Sequence, residues 1–344
     1  MTVCIGLDVG RSSVKVVASA PGAARVQLDF PSAFCLATKL SDASAQDRAS
    51  LETVSVKGVD YFVGHTAIIQ GRDDMIGGLS DDWASQPQHA ALLLSGLNRL
   101  EAAGISGAEK ALIVIGLPAR LYSSQRHAYQ AAVAEHLPRA EIKVAPQSMG
   151  PFYTMIFDED GASVDGLDGS SFAIVEVGQF TTDFAMIENS HVIDRSFASC
   201  DGMRVAAEQL QRIVLDELKI NLTLAQATAV LAKPVLRSFG REIDLREHVR
   251  AAAQPLALSI ADKAAQVFGD RVRSLTGIRV AGGGAPLVHD ALAAKWASAA
   301  GGHLPQDFVS VIKNARFAVA EGFLRFGLAL QRDRSLATQT SVAA

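Results

Sequence analysis

The chain has 344 residues, 49% of them hydrophobic, enough for two domains that each bury a core. Its formal net charge of −4, with the basic residues scattered, disfavours direct nucleic-acid binding through a basic face. Cys4, Cys35 and Cys200 are too far apart for a metal-site spacing and read as small, partly buried apolar residues of a reducing compartment.

Residues 3–17, VCIGLDVGRSSVKVV, read as strand, turn and strand, with Asp8 at the bend. Gly10 lets backbone approach a ligand, Ser12 and Ser13 offer hydroxyls, and successive turn N–H groups can form an anion-binding concavity. Lys15 adds a point charge suited to phosphate. An ordinary hairpin also uses such a turn. The Walker and dinucleotide fingerprints are both missing, and the residues that follow favour a strand. Asp8 interrupts the apolar run near the start, and no stretch approaches the roughly 18 apolar residues of a spanning helix, so a cytoplasmic protein without a membrane partner is expected.

Next come residues 26–36, a polar surface loop at 41–50, and two short strands about Gly58 within 51–63. Residues 73–78 are turn-rich, and 88–103 have helical periodicity ending at Gly104. Residues 111–118, ALIVIGLP, read as a buried parallel strand, 123–137 as an amphipathic helix with a Ser cap, and 141–146 as another strand. Gln147 then leads into an apolar, helix-like run to Phe157; a glutamine capping a surface helix is the plain reading. Residues 158–170 are acidic and Gly-rich, a natural boundary.

A second hairpin follows at 172–187, FAIVEVGQFTTDFAMI. Aligning Asp8 with Glu176 places Gly10 on Gly178, Ser13 on Thr181 and Lys15 on Asp183, an offset of 168 residues. A repeat half a chain apart suggests two related lobes. Asp201-Gly202-Met203 precedes a helix at 205–218, on which Glu208 and Arg212 are spaced for an ion pair. Residues 221–275 are mostly helical, broken at Lys233-Pro234, with a possible strand at 242–245. In 277–286, GIRVAGGGAP, a strand reaches Gly282, Gly283 and Gly284 before Pro286 opens a helix; a turn without Cβ atoms lets a flat ring lie on the backbone. Residues 315–330 are helical, with Ala318, Ala320 and Gly322 suited to a close crossing, and the tail beyond reads as loose.

Two such hairpins and a glycine turn, in this order, resemble the phosphate-1, phosphate-2 and adenosine motifs of the actin, sugar kinase and heat-shock chaperone ATPase superfamily. The strand ending in Gly116-Leu117-Pro118, with Phe30-Pro31-Ser32 and the strand ending in Gly64, resembles the plasmid-segregation actins, the ParM or StbA group. The resemblance implies an α/β, two-lobed actin-like (ribonuclease H-like) fold, each lobe a mixed sheet flanked by helices with a small inserted subdomain. Lobe I would span 1–165 with its subdomain at about 32–100, and lobe II 166–314 with its own at about 205–275. Residues 315–331 would return to lobe I, leaving 332–344 as a flexible tail.

It further implies ATP, ADP and Mg²⁺ as cofactors. Asp8 and Glu176 would hold the metal through water and act in catalysis with Gln147, which stands where actins carry a glutamine and ParM proteins a glutamate that positions the attacking water. Asp8, Gly10, Arg11, Ser12, Ser13 and Lys15 would bind phosphate from one side. Glu176, Gly178, Gln179, Thr181, Thr182 and Asp183 would bind it from the other. Gly202, Glu208, Gly282, Gly283 and Gly284 would take the nucleoside. Glu176 replaces the usual aspartate, Arg11 a serine and Val319 an asparagine, and Phe180 is bulky for a phosphate loop, so nucleotide binding is expected ahead of fast turnover. The implied activity is slow ATP hydrolysis coupled to filaments of the protein itself that segregate plasmid or other DNA through a DNA-binding adaptor. A sugar or acid kinase, which would need a catalytic aspartate not evident here, and a non-polymerising ATP-binding scaffold are the alternatives.

Overall fold

Strand β1 (Cys4–Val9) is buried along its whole length, because it lies inside a sheet covered on both faces. It pairs antiparallel with β2 (Ser13–Ser19), which pairs with β3 (Val26–Pro31). The computed structural model describes residues 2–71, 82–167 and 169–343. They form two units, Met1–Val164 with Val319–Ala344, and Asp165–Ala318.

In the first unit the chain continues through β4 (Phe34–Leu36), α1 (Ala43–Ser50), β5 (Thr53–Val56), β6 (Val59–Val63) and α2 (His65–Gln70). Strands β4, β6 and β5 make a small antiparallel sheet. It is tied down by Arg99, whose guanidinium lies 2.5 Å from the Glu52 carboxylate and over the Phe30 ring. Residues 41–50, expected as a loop, contain α1 because Asp42 caps it, accepting from the Ala45 N–H at 2.6 Å. The turn expected at 73–78 lies outside the described residues.

Then follow α3 (Pro87–Ala102), β7 (Leu112–Leu117), α4 (Ala119–His136), β8 (Glu141–Pro146) and α5 (Met149–Ile156). Helix α4 starts directly after Pro118, so Ser123 lies within it and is not its cap. The main sheet has the order β3-β2-β1-β7-β8, with β1, β7 and β8 parallel. One face buries Ile5, Leu7, Val16, Ile113 and Ile115 under Leu92, Leu93 and Leu97 of α3. Val319 and Phe323 form a further cluster with Val114 and Ala145.

In the second unit come β9 (Phe172–Val177), β10 (Thr181–Glu188), β11 (His191–Val192), β12 (Ala198–Asp201), α6 (Arg204–Leu218), α7 (Leu224–Ala232), β13 (Val235–Ser238) and β14 (Arg241–Asp244). Then come α8 (Arg246–Phe268), β15 (Gly277–Ala281), α9 (Ala285–Ala299), β16 (Val309–Val311) and α10 (Ala318–Ala343), whose residues from Val319 belong to the first unit. The sheet order is β11-β10-β9-β15-β16, with β12 also on β10 and both β15 and β16 parallel to the central strands. Both main sheets therefore share one plan: a central strand, an antiparallel hairpin partner on one side and two parallel strands on the other. Val175, Phe184, Leu210, Ile260, Phe268, Val280 and Trp296 fill the second core.

The small residues of α10 meet α5 and β1 at backbone distance. A Cβ at Gly322 would collide with the Gly150 carbonyl, and one at Gly6 with that of Ala320. The segment after Leu330, expected to be loose, continues the helix. Arg334 there forms two 2.7 Å hydrogen bonds to Glu141 of β8, a pairing that no local pattern announces. All three cysteines are free thiols, and burial pushes Cys4 up to about 12.

Candidate functional site

Each unit carries a polar turn at the end of its central strand. In the first, Asp8 sits opposite Lys15 in the β1–β2 register, and Lys15 Nζ lies 2.8 Å from Asp8 Oδ2. The other oxygen, Oδ1, accepts from Gln147 Nε2 at 2.9 Å. Asp8 is buried, so these two donors replace the water it gives up. Gln147 reaches it because β8 lies beside β7, where its N–H bonds to the Leu117 carbonyl at 2.8 Å. Its side chain passes over Gly116, where a Cβ would stand 2.8 Å from Gln147 Cγ. Two residues apart in sequence, Gly116 and Pro118 thus leave room for this glutamine and start α4.

The Gly10–Ser13 turn is braced by Ser32, which no catalytic pattern singled out. Its N–H donates to the Ser12 carbonyl at 3.0 Å and its hydroxyl donates to the Gly10 carbonyl. Behind Asp8, Tyr129 Oη lies 3.1 Å from His89 Nε2, and Trp83 meets His89 edge-on. Burial, aided by the charge of His136, drops His89 to about 3. Burial, and then the charge of Asp8, pushes Tyr129 well above its ordinary value. The pair is therefore neutral at physiological pH.

In the second unit Glu176 sits opposite Asp183 in the β9–β10 register, the same pair of positions as Asp8 and Lys15. The turns match in detail. A Cβ at Gly10 would stand 2.8 Å from the Ser13 carbonyl oxygen, and one at Gly178 would stand 2.9 Å from that of Thr181. The counterpart of the Lys15 cation is a carboxylate, Asp183, which is fully buried and accepts from the hydroxyls of Thr181, at 3.1 Å, and Ser199.

Two further segments close on this turn. Gly202 packs so tightly that its Cβ would stand 2.6 Å from the Gly178 carbonyl oxygen. Gly282, with φ +85°, lies against the Val177 carbonyl and the Glu176 carboxylate, a conformation and a fit open only to glycine. The Gly284 N–H bonds to the Val177 carbonyl at 3.0 Å. Gly283 is different: a Cβ there would meet nothing nearer than a guanidinium nitrogen of Arg316, at 3.8 Å. Gly283 thus exposes its backbone beside a cation, and Arg316 is a residue that the sequence reading did not name.

Some expected residues are committed elsewhere. Thr182 is fully buried and donates to the Asp201 carbonyl at 2.9 Å. Gln179 donates to Thr228 of α7 at 3.0 Å. Glu208 pairs with Arg204 at 2.7 Å rather than with Arg212. Phe180, bulky for its turn, lies under the Arg204 guanidinium, 5.8 Å from ring centroid to carbon.

Asp8 and Glu176 are hard oxygen donors of the type magnesium takes. Among the described residues no group of three or more His, Cys, Asp or Glu could hold a metal ion. No described helix is long and apolar enough to cross a membrane.

Comparison with known proteins follows the same division. A family model described as the N-terminal domain of actin-like proteins matches residues 6–150, and one described as the C-terminal part of an archaeal, MreB-like actin homologue matches residues 174–294. A ParM protein from Clostridium botulinum, solved as a 15-stranded filament, is similar at a TM-score of 0.70 and 21% identity, over 95% of this chain and 99% of that one. The archaeal actin homologue Ta0583 in complex with ADP gives 0.70 and 19%, over 96% and 100%. The actin-like protein Alp7A gives 0.72 and 14%, over 99% and 100%. No curated protein matches in a sequence search. At these identities the structural likeness establishes the fold, a two-lobed actin-like α/β architecture.

Proposed function

We propose that this chain, an actin-like protein of the ParM type, binds ATP with Mg²⁺ through the turns of its hairpins, hydrolyses it slowly and assembles into filaments with its own copies. The repeated turn carries the reading: an acidic residue late in a central strand, a glycine two residues on, and a hydroxyl at the start of the return strand. Asp8, Gly10 and Ser13 supply it once, and Glu176, Gly178 and Thr181 again.

A triphosphate needs donors on both sides, since its transfer chemistry is mostly positioning and charge stabilisation. Lys15 and the N–H groups of the first turn are such donors, and the 178–181 turn offers others. Asp8 and Glu176 would hold magnesium through water, and the bound ion would neutralise charge on the phosphate oxygens. Gln147, already held by Asp8, orients the attacking water. The open face of Gly283 gives a flat base room to lie, with Arg316 at its edge.

Solved relatives support the reading through what they are: one a filament, another an ADP complex. The finer role we infer is segregation of plasmid or other DNA in the cytoplasm. The net charge of −4 leaves DNA contact to a DNA-binding adaptor.

Ultracentrifugation with ATP and Mg²⁺, with ADP, and without nucleotide tests this together with phosphate release. Sedimentation and slow phosphate release that require ATP are expected. Absence of ATP binding would overturn the nucleotide reading, and binding without sedimentation would overturn the filament reading.

A further inference from the structure

Among the described residues of the 178–181 turn, only Gln179 forms a side-chain hydrogen bond that leaves the hairpin. Its Nε2 donates at 3.0 Å to Thr228 Oγ1, in the middle of α7 and 49 positions further along the chain. A residue expected at a phosphate is thus also the tie between its turn and a helix.

The backbone of the turn fixes how a ligand acts on that residue. The carbonyls of Gly178, Gln179 and Phe180 accept from the N–H groups of Met203, Arg204 and Gly202, at 3.0, 2.7 and 3.1 Å. A trans peptide carries its carbonyl and the next N–H on opposite sides, so the N–H groups of Gln179 and Phe180 face away from the start of α6. Successive N–H groups of this kind make an anion-binding concavity. A phosphate held there bonds to the very residue whose side chain grips α7.

Thr228 belongs to a continuous piece, residues 224–245. Helix α7 is opened by a reciprocal capping box between Thr223 and Gln226, and it runs through Lys233 and Pro234 into the β13–β14 hairpin. The Leu245 N–H returns to the Pro234 carbonyl at 2.9 Å, which closes the base of that hairpin. The hold of this piece on the core is light. Helix α7 buries Ala227, Val230 and Leu231, and the hairpin only half-buries Leu236 and Ile243. One hydrogen bond shifts an equilibrium roughly fivefold, enough to bias the opening of so small an element.

We propose that the Gln179–Thr228 hydrogen bond relays the phosphates held at the second turn to α7 and the β13–β14 hairpin, which are held more tightly with ATP than with ADP. The two nucleotides differ in the γ-phosphate, and a ligand shifts an equilibrium by its differential contacts with the two states. Extra contact at the turn orders Gln179 and with it the tie to Thr228. The inference rests on the nucleotide reading above and adds how occupancy of that site is sensed elsewhere in the second unit.

Hydrogen exchange of the full chain with Mg²⁺ and either ADP or a non-hydrolysable ATP analogue, below the concentration at which it sediments, tests the relay. In the unmodified chain the amides of residues 224–245 exchange roughly fivefold more slowly with the ATP analogue than with ADP. Thr228→Val keeps the shape of the side chain and removes the acceptor. Thr228 is half-buried, so this variant keeps its melting temperature and still binds both nucleotides, while the difference in exchange disappears. Thr228→Ser retains a hydroxyl and retains the difference. If the difference survives in Thr228→Val, if Thr228→Ser loses it as valine does, or if the unmodified chain binds both nucleotides with equal exchange, the relay is wrong while the nucleotide reading stands. If the unmodified chain binds neither nucleotide, both fall together.

Discussion

Gln147 Nε2 donates a hydrogen bond to Asp8 Oδ1 over 2.9 Å, joining residues 139 positions apart in the chain. A glutamine that could cap a surface helix is instead a partner of the buried carboxylate of the first hairpin. Under the proposed mechanism Gln147→Ala leaves the backbone hydrogen bond to Leu117 intact and removes only the side chain that orients water. Turnover is expected to fall by roughly 10²-fold with nucleotide affinity retained. Phosphate release and equilibrium binding of an ATP analogue measure the two separately, and equal losses in both would mean that Gln147 serves binding.

Glu176 holds the position of Asp8 with one more methylene, and its carboxylate lies against Gly282. Glu176→Asp draws the oxygens back toward the strand. A misplacement near 1 Å costs on the order of 10² in rate, so single-turnover hydrolysis should rise toward that limit. Unchanged or slower turnover would remove Glu176 from the catalytic role.

Gly322 faces Gly150 with no room for a methyl group. Gly322→Ala should lower stability by about 1–3 kcal/mol, since helices packed through their backbones must move apart. Urea unfolding reads this as a lower midpoint at unchanged slope.

His89 has its folded value depressed by burial to about 3 from the usual 6.5. Between these values the unfolded chain takes up a proton that the folded chain refuses, so stability is lost as pH falls below about 6.5. The slope from this one group approaches roughly 1.4 kcal/mol per pH unit. His89→Gln should flatten the pH dependence of the unfolding free energy between pH 6 and 4, and an unaltered slope would refute the assignment.

Arg334 holds Glu141 down to about 2 by hydrogen bonding, against the opposing effect of partial burial. A depressed carboxylate contributes stability that is present above its ordinary value of 4.5 and is lost as pH falls toward 2. Both groups are more than a third exposed, so solvent screening keeps the gain small. Arg334→Ala should return Glu141 toward its ordinary titration, read by carboxylate NMR, and speed amide exchange in the last turns of α10.

Patterns spanning a few residues were readable from the chain alone. Apolar runs ending in Asp8-Val9-Gly10 and Glu176-Val177-Gly178 require strands that stop at a polar turn, and the 168-residue offset makes them one motif used twice. The small-residue face of α10 and the Gly282–Gly284 turn were equally legible, because the absence of a side chain is itself written in the sequence. Tertiary structure decided which distant groups meet: Ser32 on the Gly10 turn, Arg316 beside Gly283, Arg334 on Glu141. It also decided which local options lose, since Glu208 had cations one turn away on either side and took Arg204. Periodicity and turn propensity act between near neighbours, whereas these contacts depend on sheet order and helix crossing, which are settled only when the whole core packs.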